Sequence, residues 1–357
     1  MLSIHKVSKR RDIEKNRGIL TMKRNLVKLS FLLFAMLMVL AACGSDDSDT
    51  ATKEPAESNA PSEATTDEAK TFKIGTTQIV EHPSLDAATE GFKAAIADAG
   101  INAEYINKTA NGDNSANMSI AQQLVSENVD LIFANSTPSA QAAKSATADI
   151  PVIFTSVTDA VGAELIASME APGANVTGTI DLHPETIAKT VAFLKELGAE
   201  KVGMVYNAGE QNSVAQIAQV KAAADGLTIV EVSVSTSAEV KQATESLLGK
   251  VDAFYIITDN TVVSALESVI DVANANKLPL IVGELDSVAR GGLAAYGFEY
   301  YDIGYEAGQM AAKILLEGVA PADIPSAYPA NLKLLINKAT AESLGLEIKD
   351  TWNAEVQ

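Results

Sequence analysis

The same order of short apolar runs and amphipathic segments occurs twice in this chain, and this repetition limits the possible folds more than any other feature. The predicted strands are 72–75, 103–106, 130–134 and 151–155 in the first copy, and 201–206, 227–234, 253–257 and 278–282 in the second, where a helix is predicted at 261–275 before the last strand. Strands that alternate with helices form parallel, doubly wound sheets. Since roughly 290 residues are large for one core, the repeat predicts two α/β lobes.

Three segments predict that the chain crosses between these lobes. The first is 176–181, the second is a strand at 293–301 followed by a helix at 302–316, and the third begins at 331–337. The expected fold class is therefore α/β, with two doubly wound parallel-sheet lobes joined by a three-segment hinge. The expected boundaries are about 71–178 plus 303–330 for lobe 1, and about 182–295 plus the C-terminal segment for lobe 2.

Polar residues follow several predicted strands at their carboxyl ends, where open α/β sheets bind ligands. Ser136 and Thr137 follow the strand 130–134 and precede Pro138, which favours the first turn of a helix. Hydroxyl groups and free N–H groups at such a turn attract an anion such as a carboxylate. The second copy has Asp259 and Asn260 at the matching turn. The two turns predict a clamp, across an interlobe cleft, for a ligand that carries both charges.

The candidate ligand-binding residues all lie at strand ends or at crossings. They are Gln78, His82, Ser136, Thr137, Thr158, Asp159, Asp181, Asn207, Asp259, Asn260 and Glu284. Asp159 is the first choice and Asp259 the second for a ligand ammonium. Helix or turn capping is the alternative role for most of these residues. The aromatic residues near 296–301 either stack on a flat ligand ring or pack as ordinary strand side chains, and the second role is favoured.

The N-terminal region has the features of a secretory signal. Lys23, Arg24 and Lys28 precede an apolar run at 29–42 that is too short to span a bilayer, and small residues lead to Cys43. This ending resembles a bacterial lipobox, in which the cysteine is lipidated after cleavage. Residues 1–42 are the expected signal peptide, although the true start could be Met22. Residues 43–70 are the expected lipidated cysteine and a disordered acidic linker, because 44–70 contain no large apolar residue.

Charge and composition exclude several classes of function. Residues 1–42 carry nine basic and two acidic residues, so removing them leaves 18 basic and 44 acidic residues, a net charge of −26. Such a chain is not expected to bind nucleic acid or anionic lipid headgroups. The single cysteine excludes an internal disulfide framework, and no metal or cofactor site is expected. No hydrolase, metalloprotease or nucleotide-binding motif is present, so no catalytic residues are predicted.

Four segments together resemble a known family. They are 74–83 (IGTTQIVEHP), 85–92 (LDAATEGF), 258–265 (TDNTVVSA) and 296–304 (YGFEYYDIG). They resemble the substrate-binding lipoproteins of ABC transporters, in particular the tryptophan/tyrosine-binding subgroup, over roughly 71–346. The resemblance implies a type I periplasmic-binding-protein fold that closes on a solute and delivers it to a membrane permease.

The expected protein is thus a monomeric solute receptor, held by lipid at the outer face of a bacterial cell membrane. Its expected partners are an aromatic amino acid, tyrosine or tryptophan, and the transmembrane subunits of an ABC permease. A sugar, nucleoside or peptide-like solute on the same fold is the first alternative, and an enzyme is the less favoured one.

Overall fold

The structure is a computed structural model that describes residues 70–357. The predicted signal peptide, Cys43 and all of the acidic linker except Lys70 lie outside the described residues. Within the described part, no helix is both long and apolar enough to cross a membrane.

Lobe 1 is built on a five-stranded parallel sheet with the order β2-β1-β3-β4-β5. Its strands are β1 Thr71–Gln78, β2 Asn102–Thr109, β3 Leu131–Asn135, β4 Val152–Val157 and β5 Val176–Ile180. Its helices are α1 Pro83–Asp98, α2 Asn114–Ser126 and α3 Thr137–Ala146. Every residue of β3, β4 and β5 is buried, as expected for parallel strands that are covered on both faces.

Lobe 2 contains a seven-stranded sheet with the order β12-β11-β10-β9-β8-β6-β7. Its strands are β6 Lys201–Asn207, β7 Thr228–Val234, β8 Ala253–Ile256, β9 Leu280–Val282, β10 Ala294–Gly297, β11 Lys333–Ile336 and β12 Glu355–Val356. Its helices are α4 Thr186–Glu196, α5 Gln211–Ala223, α6 Val240–Glu245, α7 Asn260–Val263, α8 Leu266–Ala275 and α9 Leu285–Arg290. One strand departs from the parallel arrangement: β11 is antiparallel to β10, because the chain enters it from the hinge side of the lobe.

The chain passes between the lobes three times, as expected. It leaves β5 for α4, leaves β10 for α10 (Tyr300–Ala312), and returns through 325–332 to β11 before α11 (Lys338–Leu344). Although α10 follows the strands of lobe 2, it packs on α1 of lobe 1. Gly304 permits this approach, because a β-carbon there would collide with the carbonyl oxygen of Ala88. The helix α10 is therefore part of lobe 1.

Two predicted elements end at different residues in the structure. The strand predicted at 293–301 ends at Gly297, and Tyr300 begins α10 instead of continuing the strand. The helix predicted at 261–275 is divided into α7 and α8 by Ser264 and Ala265. At the first position Phe298 stacks on Tyr300 as the chain turns into α10, and at the second the hydroxyl of Ser264 donates to the carbonyl oxygen of Thr261 within the same turn.

Candidate solute-binding cleft

The carboxyl edges of the two sheets face each other across a cleft whose walls are in contact. The hydroxyl oxygens of Thr158 in lobe 1 and Thr258 in lobe 2 are 3.5 Å apart. A small cavity of about 190 Å³ separates Ile79 and Val80 of lobe 1 from Asn260 and Thr261 of lobe 2. The lobes are therefore closed on each other, and the residues between them are largely buried.

In lobe 1, the turn after β3 presents polar groups that the chain does not fully use. Ser136 has a positive φ of 111°, an uncommon backbone conformation for a residue other than glycine, and its hydroxyl accepts a bond from the N–H of Ser139. The buried hydroxyl of Thr137 has no hydrogen-bond partner among the described residues. The same is true of Ser156 at the end of β4, which also has a positive φ. Such strained residues cluster at ligand sites.

Gln78 has a supporting position rather than an open one. Its side-chain amide donates to Asp86 and to the backbone carbonyl of Val80. Its carbonyl oxygen accepts bonds from Thr89 and Asn135. These bonds join the end of β1 to α1 and β3, so Gln78 fixes the floor of the cleft in lobe 1.

In lobe 2, the turn after β8 has the opposite character, because carboxylates of the chain itself occupy its donors. One carboxylate oxygen of Asp259 accepts bonds from the N–H of Asn207 (2.6 Å) and the hydroxyl of Ser213 (2.6 Å), and the other accepts from the N–H of Val262. Burial and the neighbouring Glu210 raise the pKa of Asp259 to about 7. Asp259 is thus engaged within lobe 2, and it is a poor choice for a ligand ammonium.

Glu210, in the loop between β6 and α5 that lies beside this turn, is a residue that the sequence reasoning missed. Its carboxylate is buried and accepts bonds from the backbone N–H groups and the side chains of Asn260 and Thr261. It also accepts a bond from the amide of Asn212. Asn260 is held by this contact, while Asn207 donates from its amide to Thr261. The predicted residues Asn207, Asp259 and Asn260 therefore form one internally bonded cluster.

Asp181 lies at the first crossing and is bonded on both carboxylate oxygens by hydroxyl groups. Thr158 donates to one oxygen and Tyr300 donates to the other, each at 2.9 Å. Burial raises the pKa of Asp181 to about 6, although these two hydrogen bonds act in the opposite direction. The pKa of the Tyr300 hydroxyl is raised well above its ordinary value by burial and by Asp181, so this hydroxyl remains a donor. Tyr300 was not among the predicted site residues.

Glu284 is a second buried carboxylate near Asp181, and it comes from the opposite lobe. One of its oxygens accepts a bond from Ser287, and the other has no hydrogen-bond partner among the described residues. Burial raises the pKa of Glu284 to about 7, although the nearby hydroxyl of Ser84 acts to lower this pKa. Both carboxylates are disfavoured as charged groups when no cation is nearby.

The other predicted acid and the histidine have different surroundings. Asp159 is partly exposed, and its carboxylate caps the N–H of Gly162 at 2.8 Å, which matches the capping alternative. His82 is buried, and burial lowers its pKa to about 4, so the ring is neutral at ordinary pH. Its Nδ1 atom has no hydrogen-bond partner among residues 70–357.

Four buried carboxylates thus line the cleft, namely Asp181, Glu210, Asp259 and Glu284. Within the described residues, none of them is within 4.0 Å of a lysine, arginine or histidine nitrogen. Buried charges are ordinarily paired or neutralised. Glu210 and Asp259 are satisfied by internal donors, whereas Asp181 and Glu284 retain capacity for a cation. No group of acidic, histidine or cysteine residues in this part of the chain has the arrangement of a metal site.

Two closed α/β lobes, a three-segment hinge and a polar cleft at the strand ends define a solute-binding protein of the periplasmic type. The family model of the ABC transporter substrate binding protein matches residues 73–356, and this chain belongs to that family. A tyrosine-binding protein from Clostridioides difficile is 41% identical over 329 residues, which cover 89% of this chain and 92% of that protein.

Two solved structures allow the arrangement of the two lobes in this chain to be compared with that in similar proteins. A domain from Streptococcus pneumonia in complex with L-Trp has 32% sequence identity and a TM-score of 0.76, covering 81% of this chain and all of that one. The ligand-free, open structure of a substrate-binding protein with adhesive properties from Clostridium difficile is more similar in sequence, at 40%. Its TM-score is nevertheless lower, at 0.61, with 80% of this chain and 99% of that one covered. The lobe arrangement here is therefore closer to that of the tryptophan complex.

Proposed function

We propose that this protein binds an aromatic α-amino acid, tyrosine or tryptophan, in the interlobe cleft and delivers it to the permease of an ABC importer. The observation that carries the proposal is the pair of buried carboxylates, Asp181 and Glu284, which have no basic side-chain nitrogen within 4.0 Å among the described residues. A ligand ammonium between them would supply that charge and would bind residues of both lobes at once. Closure would then depend on the ligand, because the ammonium reaches both carboxylates only when the lobes are together.

The carboxylate of the amino acid is assigned to the turn after β3. The hydroxyl of Thr137, which has no partner among the described residues, supplies a donor there, at the start of α3. Helix N-termini attract anions. A cavity of about 280 Å³ adjoins Thr158, and its walls combine apolar side chains, which include Met169, Ile180 and Ile187, with polar ones such as Asp159 and His183. It offers room for the side chain of the solute. The names of the relatives, a tyrosine-binding protein and a tryptophan complex, support an aromatic side chain.

The proposal extends to where the protein acts and what it does with its ligand. The substrate-binding proteins of this family act outside the cytoplasm. The lipobox-like ending at Cys43 supports a lipid anchor on the outer face of the cell membrane, and the family supports an ABC permease as the partner. We propose a monomer that binds and releases its solute unchanged, without catalysis.

The test is a thermal-shift screen of the complete chain, which is unfolded and refolded in mild detergent to remove any carried ligand. Tyrosine or tryptophan at 100 times its dissociation constant should add about 2.7 kcal/mol of stability. N-Acetyltyrosine, which lacks the ammonium, is the matched control and should have little effect. Stabilisation by a sugar or nucleoside, but by neither aromatic amino acid, would contradict the proposal. Equal stabilisation by tyrosine and N-acetyltyrosine would contradict the assignment of Asp181 and Glu284.

A further inference from the structure

Glu210 occupies a set of donors that would suit an anionic ligand. Two backbone N–H groups, of Asn260 (3.2 Å) and Thr261 (3.0 Å), point at its carboxylate. The hydroxyl of Thr261 (2.7 Å) and the amides of Asn260 (2.6 Å) and Asn212 (3.3 Å) complete the set. Five fixed donors around one buried carboxylate resemble the surroundings of a bound anion more than those of a surface glutamate.

The carboxylate of Glu210 lies beside the part of lobe 2 that faces lobe 1. Because β6 and β8 are parallel neighbours, the loop that carries Glu210 lies beside the turn at 258–262. That turn faces lobe 1, where Ile79 and Val80 lie across the small cavity from Asn260 and Thr261. Glu210 therefore holds the wall of lobe 2 that meets lobe 1 on closure.

The matching turn of lobe 1, after β3, has no counterpart of the Glu210 carboxylate among the described residues. In lobe 1 the turn after β3 has Thr137, whose buried hydroxyl is unpartnered within the described residues, and no carboxylate bonds to this turn. In lobe 2 the turn after β8 is filled by Glu210. The two halves of the repeat thus offer an incoming carboxylate one open turn and one occupied turn.

We infer that Glu210 is a built-in anion that positions the β8–α7 turn for closure and directs the solute's carboxylate to lobe 1. This inference rests on the proposed function, since it concerns how the amino acid lies in the same cleft. Glu210 acts as a positioning residue through Asn260 and Thr261. The inference also predicts that the protein rejects a solute with a second anionic group facing lobe 2, because that group would meet the negative charge of Glu210.

Chemical rescue tests the inference. Glu210→Ala removes the carboxylate and leaves a space of matching size, so we expect at least a tenfold loss of tyrosine or tryptophan affinity and a lower Tm. Sodium formate at about 100 mM should restore part of both, while sodium chloride at equal ionic strength should not. Glu210→Gln fills the same space with a neutral group, so formate should not rescue it. Glu245→Ala, at an exposed glutamate of α6, is the matched control and should bind like the unmodified protein.

The outcomes separate the inference from the proposed function. If the unmodified protein binds no aromatic amino acid, the proposed function fails, and the effect of formate on the Tm of the Glu210→Ala variant still tests the anion site. If the unmodified protein binds but Glu210→Ala binds equally well, or formate changes neither its affinity nor its Tm, the inference is wrong. Should Glu210→Ala unfold, its refolding in formate but not in chloride is the expected result, and failure in both overturns the inference.

Discussion

The turns after β3 and β8 occupy matching places in the two lobes, but the chain uses their donors differently. The turn of lobe 1 keeps the hydroxyl of Thr137 without a partner within the described residues, whereas the turn of lobe 2 is bonded throughout by Asp259 and Glu210. A duplicated fold can therefore reserve one site for the ligand and fill the other with its own side chains. The same contrast separates the buried acids of residues 70–357, because Asp181 and Glu284 retain capacity for a cation, whereas Glu210 and Asp259 are satisfied by internal donors.

The largest effect is expected when one acid with capacity for a cation, Asp181, and one internally bonded acid, Asp259, are replaced in turn. Asp181→Asn should lower the affinity for tyrosine or tryptophan on the order of 100-fold, because it removes the charge that faces the ammonium. Asp259→Asn should instead lower the free energy of unfolding by about 1–3 kcal/mol, because its amide would face the N–H of Asn207. Isothermal titration calorimetry and urea unfolding of both variants measure the two quantities. Equal losses of affinity in the two variants would remove the distinction between the acids.

The second effect is on the pH dependence of binding. The pKa values of Asp181 and Glu284 are raised to about 6 and about 7, and a bound ammonium favours the ionised forms. Ligand binding should therefore release protons, and the affinity should fall at least about tenfold between pH 8 and pH 5, as both groups become protonated. Calorimetry in buffers of different ionisation enthalpy measures the proton release. An affinity that is constant over this range would argue against an ammonium at these residues.

The smallest expected effect concerns the open turn itself. Thr137→Val should weaken the binding of tyrosine by about 1 kcal/mol, and that of tyrosinamide by less, because the amide is not an anion. Thr261→Val, in the occupied turn, should lower stability and affect both ligands equally, since its hydroxyl bonds to Glu210. Competition binding with the two ligands provides the comparison. If Thr137→Val affected tyrosine and tyrosinamide equally, the carboxylate assignment would fail.

Most of the fold was predictable because its signals are local. Strands such as β3 and β8 are short apolar runs, and the repeated order identified two lobes and three crossings. The misplaced boundary at 298–301 shows the limit of this reasoning. Alternating aromatic residues predicted a strand there, but Phe298 stacks on Tyr300 at a centroid distance of 5.6 Å as the chain turns into α10. The tertiary packing at the hinge decided the conformation.

The site was predictable only as far as strand ends can be found in the sequence. Ser136, Asp181 and Glu284 follow strands, and this position made them candidates. Tyr300 was missed because its bond to Asp181 joins residues 119 positions apart. Glu210 was missed because it precedes a helix, where a glutamate ordinarily lies in solvent. The pairing of β6 with β8 could have raised it as a candidate, since the loops after neighbouring parallel strands lie side by side.

The close packing of α10 on α1 also limits how the chain can fold during its synthesis. Gly304 and Gly91 let the two backbones approach, so the surface of α1 that includes Phe92 stays uncovered until residues 300–312 are made. By then the chain contains all of β6 to β10, yet lobe 2 still lacks β11 and β12. Neither lobe is complete before the last fifty residues or so emerge. Truncation before residue 300 therefore leaves both lobes incomplete, and lobe 1 receives α10 before lobe 2 receives β11 and β12.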